Sequence, residues 1–251
     1  MTILIARLES AKLFRHPLTQ ALIALTIGLF WLFYYRLLVD YLSLMQNALV
    51  EGSRHASLSL EVIKPSFSWS IVIFSFILPI FTTFAFSVET QQKTFYLWAI
   101  ERVSPWQLVF GKFLCLVGVT LLVLLGLLLM ICLLQLDVML DWGMILGGSI
   151  AFMGTSCALI SFGLFISALC PLPLLAIGIT VIGNCLWLLI DWLSPFHSLW
   201  LSTADLSLLG HSFHLVHGHF QSQDIAFYFL FTAFWLLLSS RVITYKMKKV
   251  H

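Results

Sequence analysis

Long apolar segments alternate with short polar segments along most of the chain. A helix rises about 1.5 Å per residue, so about twenty residues cross the roughly 30 Å hydrocarbon core of a bilayer. The final apolar segment is the shortest, and it gains length if Gln223 and Arg241 lie at the two interfaces. The pattern therefore predicts six transmembrane helices, at residues 18–39, 66–88, 108–134, 143–169, 172–192 and 225–242.

Residues 1–16 have a different pattern, in which apolar and charged side chains alternate at helical spacing. The charged ones are Arg7, Glu9, Lys12 and Arg15. An apolar stripe suits the headgroup region and basic side chains suit lipid phosphates, so the pattern predicts an interfacial helix that ends before Pro17. A merely solvated leader is the alternative. The segment lacks the small-residue cleavage pattern of a signal peptide.

The composition agrees with a membrane protein. Hydrophobic residues make up 61% of the chain and charged residues only 10%, whereas soluble domains average about 45 to 50% and about 25%. The predicted fold class is an all-α, polytopic membrane protein whose single transmembrane domain covers residues 1–251. The five cysteines lie in or beside apolar segments, where they act as small hydrophobic side chains. The net charge of +2 gives no reason to expect nucleic acid as a partner.

One charged segment, residues 86–113, separates the second and third predicted spans. It contains Glu89, Lys93, Glu101, Arg102 and Lys112. Each ion would cost about 2.5 to 3.5 kcal/mol at the centre of a bilayer. The segment is therefore expected to face water or a partner protein.

The same segment carries apolar side chains that could anchor a soluble partner. These are Phe95, Trp98, Ala99 and Trp106. Aromatic anchors inside a polar rim are typical of protein interfaces, so we expect a short cytoplasmic coupling helix between spans two and three. An ordinary interfacial loop with anchoring Trp residues is the alternative.

Lys and Arg residues are distributed unevenly between the two sides of the predicted membrane. With a cytoplasmic N-terminus, three of the thirteen lie outside, namely Arg36, Arg54 and Lys64. The other ten lie inside, and the long loop between residues 192 and 223 contains no Lys or Arg. The positive-inside rule then predicts that both termini are cytoplasmic.

Motifs of common enzymes are absent from the sequence. Gly111 and Lys112 are followed by Phe113, and the upstream glycine of a nucleotide-binding P-loop is replaced by Trp106. No H-E-x-x-H, G-x-S-x-G or C-x-x-C pattern occurs, and no pair of carboxylates lies inside the spans. The chain is therefore expected to have no catalytic residues, no ATP site of its own and no bound cofactor.

A secondary transporter would usually show ionisable groups at the middle of the membrane or an internal repeat, and neither is evident in the sequence. Asn184 lies in the fifth span and Asp191 near its outer end. Each is either a structural group, which bonds another helix or lies at the interface, or a substrate ligand. In the fourth span, Gly147, Ala151 and Thr155 recur every four residues. Such a ridge lets another helix approach closely, which predicts a central position for this span.

A group of histidines lies in the predicted outer loop. Its members are His211, His214, His217 and His219. Imidazoles spaced by three residues can share a helix face and ligate zinc, copper or haem iron. The spacing matches no defined site, and His is also common on amphipathic interfacial helices, so these residues are only weak candidates for a metal site.

Two regions resemble the membrane subunit of an ABC type-2 exporter, closest to the gliding-motility (GldF-like) permease group. In the first region the matching positions are Glu89, Thr94, Val103, Ser104, Trp106, Leu108, Val109, Gly111, Lys112 and Phe113. Lys93 and Arg102 depart from it, because that group usually has Gly and Pro there. In the second region the matching positions are Gly218, Asp224, Tyr228 and Phe229, followed by a Leu-rich span.

The resemblance implies a permease subunit that forms a translocation pathway in the bacterial inner membrane. The implied partners are two separate ABC ATPase subunits, which would bind ATP, and a second permease subunit, identical or homologous. The resemblance and the anchors and charges of segment 86–113 together predict that the following residues couple the chain to the ATPase: Glu89, Lys93, Thr94, Phe95, Trp98, Glu101, Arg102, Trp106, Gly111 and Lys112. The alternative is a membrane assembly or cofactor-handling factor whose outer histidines bind metal or haem.

Overall fold

A computed structural model describes residues 2–51, 59–91, 104–133, 141–193, 207–218 and 221–248. Every regular element in these ranges is helical, which confirms the all-α expectation. A short π-helix, Ser59–Ile63, leads directly into α3. The α-helices are α1 (Thr2–Arg15), α2 (Pro17–Glu51), α3 (Lys64–Gln91), α4 (Pro105–Leu133), α5 (Trp142–Leu169), α6 (Pro173–Leu193), α7 (Leu208–Val216) and α8 (Ser222–Lys248).

Five of the described helices, α2, α3, α4, α5 and α8, are long and apolar enough to cross a membrane. The fifth predicted span corresponds to α6, whose apolar part within the described residues, Pro173–Leu188, is shorter. The five helices are consistent with a multi-pass membrane protein, while the count of six stays a prediction. The largest differences from the sequence prediction are that α2 continues from residue 39 to Glu51 and that a helix, α7, lies within the predicted outer loop.

Helix α5 occupies the centre of the bundle and packs against α3, α4, α7 and α8. Its glycines make this possible, because a Cβ at Gly148 would overlap the ring of Phe67 in α3. A Cβ at Gly147 would overlap the backbone carbonyl oxygen of Leu215 in α7. Close approach of this kind maximises van der Waals contact where no hydrophobic effect drives helices together.

The ridge predicted in the fourth span faces α7 and α8. Gly147 lies against the α7 backbone, and Ala151 is fully buried. Thr155 donates a hydrogen bond to the Tyr228 hydroxyl of α8 over 3.1 Å, and that hydroxyl donates to the carbonyl of Leu208 over 3.0 Å. Small side chains and one polar pair therefore hold α5 against α7 and α8.

Candidate functional site

Lys112 is a buried cation at the end of the bundle where α3 ends and α4 begins. Its side chain is 2% exposed. Its Nζ donates to the carbonyl of Ala85 over 2.6 Å and lies 2.8 Å from Glu89 Oε1 and 3.5 Å from Glu9 Oε2. The three acceptors match the three N–H donors of an ammonium group, which makes burial of the charge tolerable.

The local sequence explains why Lys112 meets α3. Pro105 occupies the first position of α4, where its missing N–H breaks no helical bond, and the Leu108 N–H bonds back to the Ser104 carbonyl. Lys112 lies two turns into α4, so its long side chain reaches the last two turns of α3. There the Phe86 ring lies 5.0 Å from Nζ, a cation–π distance.

Glu9 brings α1 to the same place. Ile5 and Glu9 are buried, and Leu13 is partly buried on the same face of α1 at intervals of four residues. The sequence pattern predicts Glu9 to be an interfacial charge and does not predict its contact with Lys112. The available signal was a carboxylate in the middle of an apolar helical stripe, which needs a cationic partner once the stripe is buried.

A second polar contact ties the end of α3 to the end of α5. The Ser167 hydroxyl accepts from the backbone N–H groups of Phe86 and Ser87, over 3.2 and 3.0 Å. Ser87 Oγ lies 2.9 Å from the carbonyl oxygen of Cys170, the C-cap of α5. The last turns of α3 are therefore joined both to α4 through Lys112 and to α5 through this serine pair.

The structure covers part of the predicted coupling segment. Six of its candidates lie outside the described residues, namely Lys93, Thr94, Phe95, Trp98, Glu101 and Arg102. Gly111 is buried in α4, and Trp106 in the first turn of α4 is 41% exposed with its ring stacked on Phe110. The structure thus brings Glu89 and Lys112 together and leaves Trp106 at the surface close to Pro105.

The expectation that the charges of this segment face water or a partner is wrong for Lys112 and Glu89. The Glu89 side chain is 13% exposed and Lys112 is almost fully enclosed. The two side chains avoid hydrocarbon because they pair with each other inside the bundle, not because they are exposed to water. In the folded chain these two residues join the end of α3 to the start of α4.

Asn184 forms an interhelical hydrogen bond, one of the two roles that the sequence left open. Its Nδ2 donates to the carbonyl of Ser75 in α3 over 2.9 Å. Pro79 lies four residues after Ser75 inside α3 and has no N–H, so it cannot supply the helical donor for that carbonyl. Asn184 supplies this donor from α6, and its own Oδ1 is buried without a hydrogen-bond partner among the described residues.

The histidines of the predicted outer loop are divided between different contacts. His211 Nδ1 lies 2.6 Å from Asp224 Oδ1, and its ring stacks on Phe227. His214 Nδ1 is 3.9 Å from the same oxygen and its side chain is 59% exposed. His217 Nδ1 contacts the carbonyl of Phe213 within its own helical turn.

These contacts do not assemble a metal centre. Within the ranges that the structure covers, no group of three or more His, Cys, Asp or Glu side chains is arranged to hold a metal ion. His219 lies outside those ranges. His211 and the buried Asp224 form a polar contact that joins α7 to α8.

No protein-family model matches the chain, and no curated protein is significantly similar to it in sequence.

Proposed function

We propose that the chain is the membrane-spanning permease subunit of an ATP-binding-cassette exporter of the bacterial inner membrane. In this proposal six spans form half of the translocation pathway, with both termini in the cytoplasm. A second permease subunit, identical or homologous, completes the pathway. Two separate ATPase subunits bind and hydrolyse ATP, which accounts for the missing P-loop.

The observation that carries the proposal is the buried contact of Lys112 with Glu89 and Ala85. These residues join the end of α3 to the start of α4, the two helices that flank residues 92–103. A partner that pulls on this segment would move both helices together, because a buried ion pair resists separation by several kcal/mol in a medium of low polarity. Ser167 extends the same connection to α5 at the centre of the bundle. This is the mechanical connection that a coupling segment requires.

The alternative function, a factor that binds metal or haem through the outer histidines, has weaker support. His211 is engaged with Asp224, and His217 is engaged with the carbonyl of Phe213. The described residues offer no group of three ligands.

Co-purification of the full chain in mild detergent tests the proposal. We expect an ATPase to accompany the wild-type chain and to hydrolyse ATP at a rate that depends on the permease. Trp98→Ala should weaken that association by about thirtyfold, the equivalent of about 2 kcal/mol for an aromatic anchor at an interface. Trp142→Ala is the matched control, because Trp142 is 52% exposed at the start of α5, on the side predicted to face away from the ATPase.

Glu89 provides a separate test of transmission. Glu89→Lys would place a second ammonium against Lys112 and disturb folding, so the isosteric Glu89→Gln is the better variant. We expect Glu89→Gln to retain the ATPase but to loosen the dependence of its hydrolysis rate on the permease. The proposal is contradicted if Trp98→Ala binds the ATPase as the wild type does and Glu89→Gln regulates ATP hydrolysis as the wild type does. The segment would then be an ordinary interfacial loop.

A further inference from the structure

Four charged side chains form a chain of alternating sign between α1 and the bundle. Lys12 Nζ lies 3.4 Å from Glu9 Oε1, and Glu9 Oε2 lies 3.5 Å from Lys112 Nζ. Lys112 Nζ in turn lies 2.8 Å from Glu89 Oε1. Lys12 is 64% exposed, whereas Lys112 is enclosed, so the chain of charges runs from the surface into the bundle.

This chain of charges divides into two neutral pairs at its central contact. Lys12 and Glu9 both belong to α1, while Lys112 and Glu89 join α4 to α3. Separation at the 3.5 Å contact would leave Lys112 with Glu89 and with the Ala85 carbonyl. Breaking a buried ion pair is normally costly because it leaves an uncompensated charge, and here it leaves none.

The remaining attachment of α1 is confined to one face of the helix. Among its described side chains only Ile5 and Glu9 are buried, and α1 packs mainly on α4. Its connection to α2 is a bend at His16 followed by Pro17, whose missing N–H interrupts the helical hydrogen bonds. Such a junction allows α1 to move relative to α2 without unfolding either helix.

A cavity of about 20 Å³ lies beneath α1 and is lined by Glu9, Lys112 and Cys115, among others. A volume of about 10 to 15 Å³ is enough for one water molecule, provided that polar groups surround it. Water can therefore replace the bond that Glu9 gives up. Cys115 is 5% exposed in the docked arrangement. Because Glu9 and Leu13 of α1 line the same cavity, departure of α1 would expose this face of α4.

We propose that α1 is a detachable strap, held across the α3–α4 junction by the contact of Glu9 with Lys112. Release moves Lys12 and Glu9 away together and leaves the ion pair of Lys112 with Glu89 intact. The strap then controls whether the α3–α4 junction, the buried Lys112 and Cys115 are covered. This inference does not depend on the proposed transport function.

The reactivity of Cys115 measures release of the strap. The test uses the full chain in lipid nanodiscs, with Cys132, Cys157, Cys170 and Cys185 replaced by Ser or Ala so that Cys115 is the only thiol. The rate of alkylation by N-ethylmaleimide is compared between variants. Glu9→Gln should raise the rate by about fivefold to thirtyfold, the range that loss of one moderate interaction produces in a two-state equilibrium.

The matched variant Glu89→Gln should have the opposite effect. With Glu89 neutral, Glu9 becomes the sole carboxylate of Lys112 among the described residues, so release would leave a buried ammonium without an anionic partner there and alkylation should slow or stay unchanged. If the four charges only stabilised the fold, either substitution would loosen the attachment of α1 and accelerate alkylation of Cys115. Acceleration by both variants, or by neither, overturns the proposal.

Two further measurements guard against misfolding. If Glu9→Gln fails to assemble, Glu9→Asp takes its place, because the shorter side chain lengthens the contact with Lys112 and should accelerate alkylation in the same way. The thermal unfolding of each variant is recorded as well. The proposal predicts that the two glutamate substitutions change the alkylation rate in opposite directions. If alkylation instead becomes faster in every variant that unfolds at a lower temperature, the proposal is also overturned.

Discussion

Asn184 of α6 donates a hydrogen bond to the backbone carbonyl of Ser75 in α3, at the point where Pro79 removes the helical donor. The two residues are 109 positions apart in the chain. Both are buried. The contact repairs a break in one apolar helix with a side chain from another, which is how proline is accommodated inside transmembrane helices.

Asn184→Leu should destabilise the protein, because the Ser75 carbonyl would then be buried without a partner. The expected loss in the free energy of unfolding is about 1 to 3 kcal/mol, measured by chemical unfolding in detergent. In a Pro79→Ala background the same substitution should have a much smaller effect, since the new N–H at position 79 reaches that carbonyl. Equal losses in the two backgrounds would show that the hydrogen bond to Ser75 is not what makes Asn184 important.

Gly147→Ala should separate α5 from α7. The added methyl group would overlap the backbone carbonyl of Leu215, and backbone atoms cannot move aside as a flexible side chain can. We expect a loss of about 1 to 3 kcal/mol in the free energy of unfolding, as for other overpacked sites. Gly118→Ala in α4 is the control, because nothing lies within 4 Å of a Cβ there. It should be neutral or stabilising by up to about 1 kcal/mol.

His211→Ala should destabilise the contact between α7 and α8, because Asp224 is 1% exposed and loses its hydrogen-bond partner. The expected loss is about 1 to 3 kcal/mol in the free energy of unfolding. His214→Ala should change little, since His214 is half exposed and lies 3.9 Å from the carboxylate. The content of zinc, copper and haem should be the same in the wild type and in the His211→Ala variant. Loss of a stoichiometric metal or haem in that variant would favour the alternative function.

Cysteine labelling tests the predicted orientation in the membrane. Ser202→Cys in the predicted outer loop should react with an impermeant thiol reagent added to intact cells. Gln91→Cys, at the end of α3, should react only after the membrane is opened. The expectation rests on the ten-to-three distribution of Lys and Arg under the positive-inside rule. Reversed labelling of the two positions would contradict the cytoplasmic placement of both termini.

The sequence by itself determined the class of the protein and the approximate positions of its helices. Hydrophobicity is a local and nearly additive property, so twenty apolar residues predict a helix wherever they are packed. The same local pattern shows that residues 86–113 are unusually charged for a segment between two spans and that small residues recur on the fourth span. It also placed a helix at the N-terminus, and α1 is observed at Thr2–Arg15.

Only the tertiary structure decided which polar groups meet. The contacts of Glu9 with Lys112 and of Asn184 with Ser75 depend on the rotation and register of packed helices, which the period of one segment does not encode. The sequence showed that the charges at positions 89 and 112 avoid hydrocarbon. It did not show whether water, a partner or another helix neutralises them. In the folded chain α3 and α1 supply the carboxylates, because an ammonium paired with carboxylates and bonded to a backbone carbonyl can be buried where an isolated one cannot.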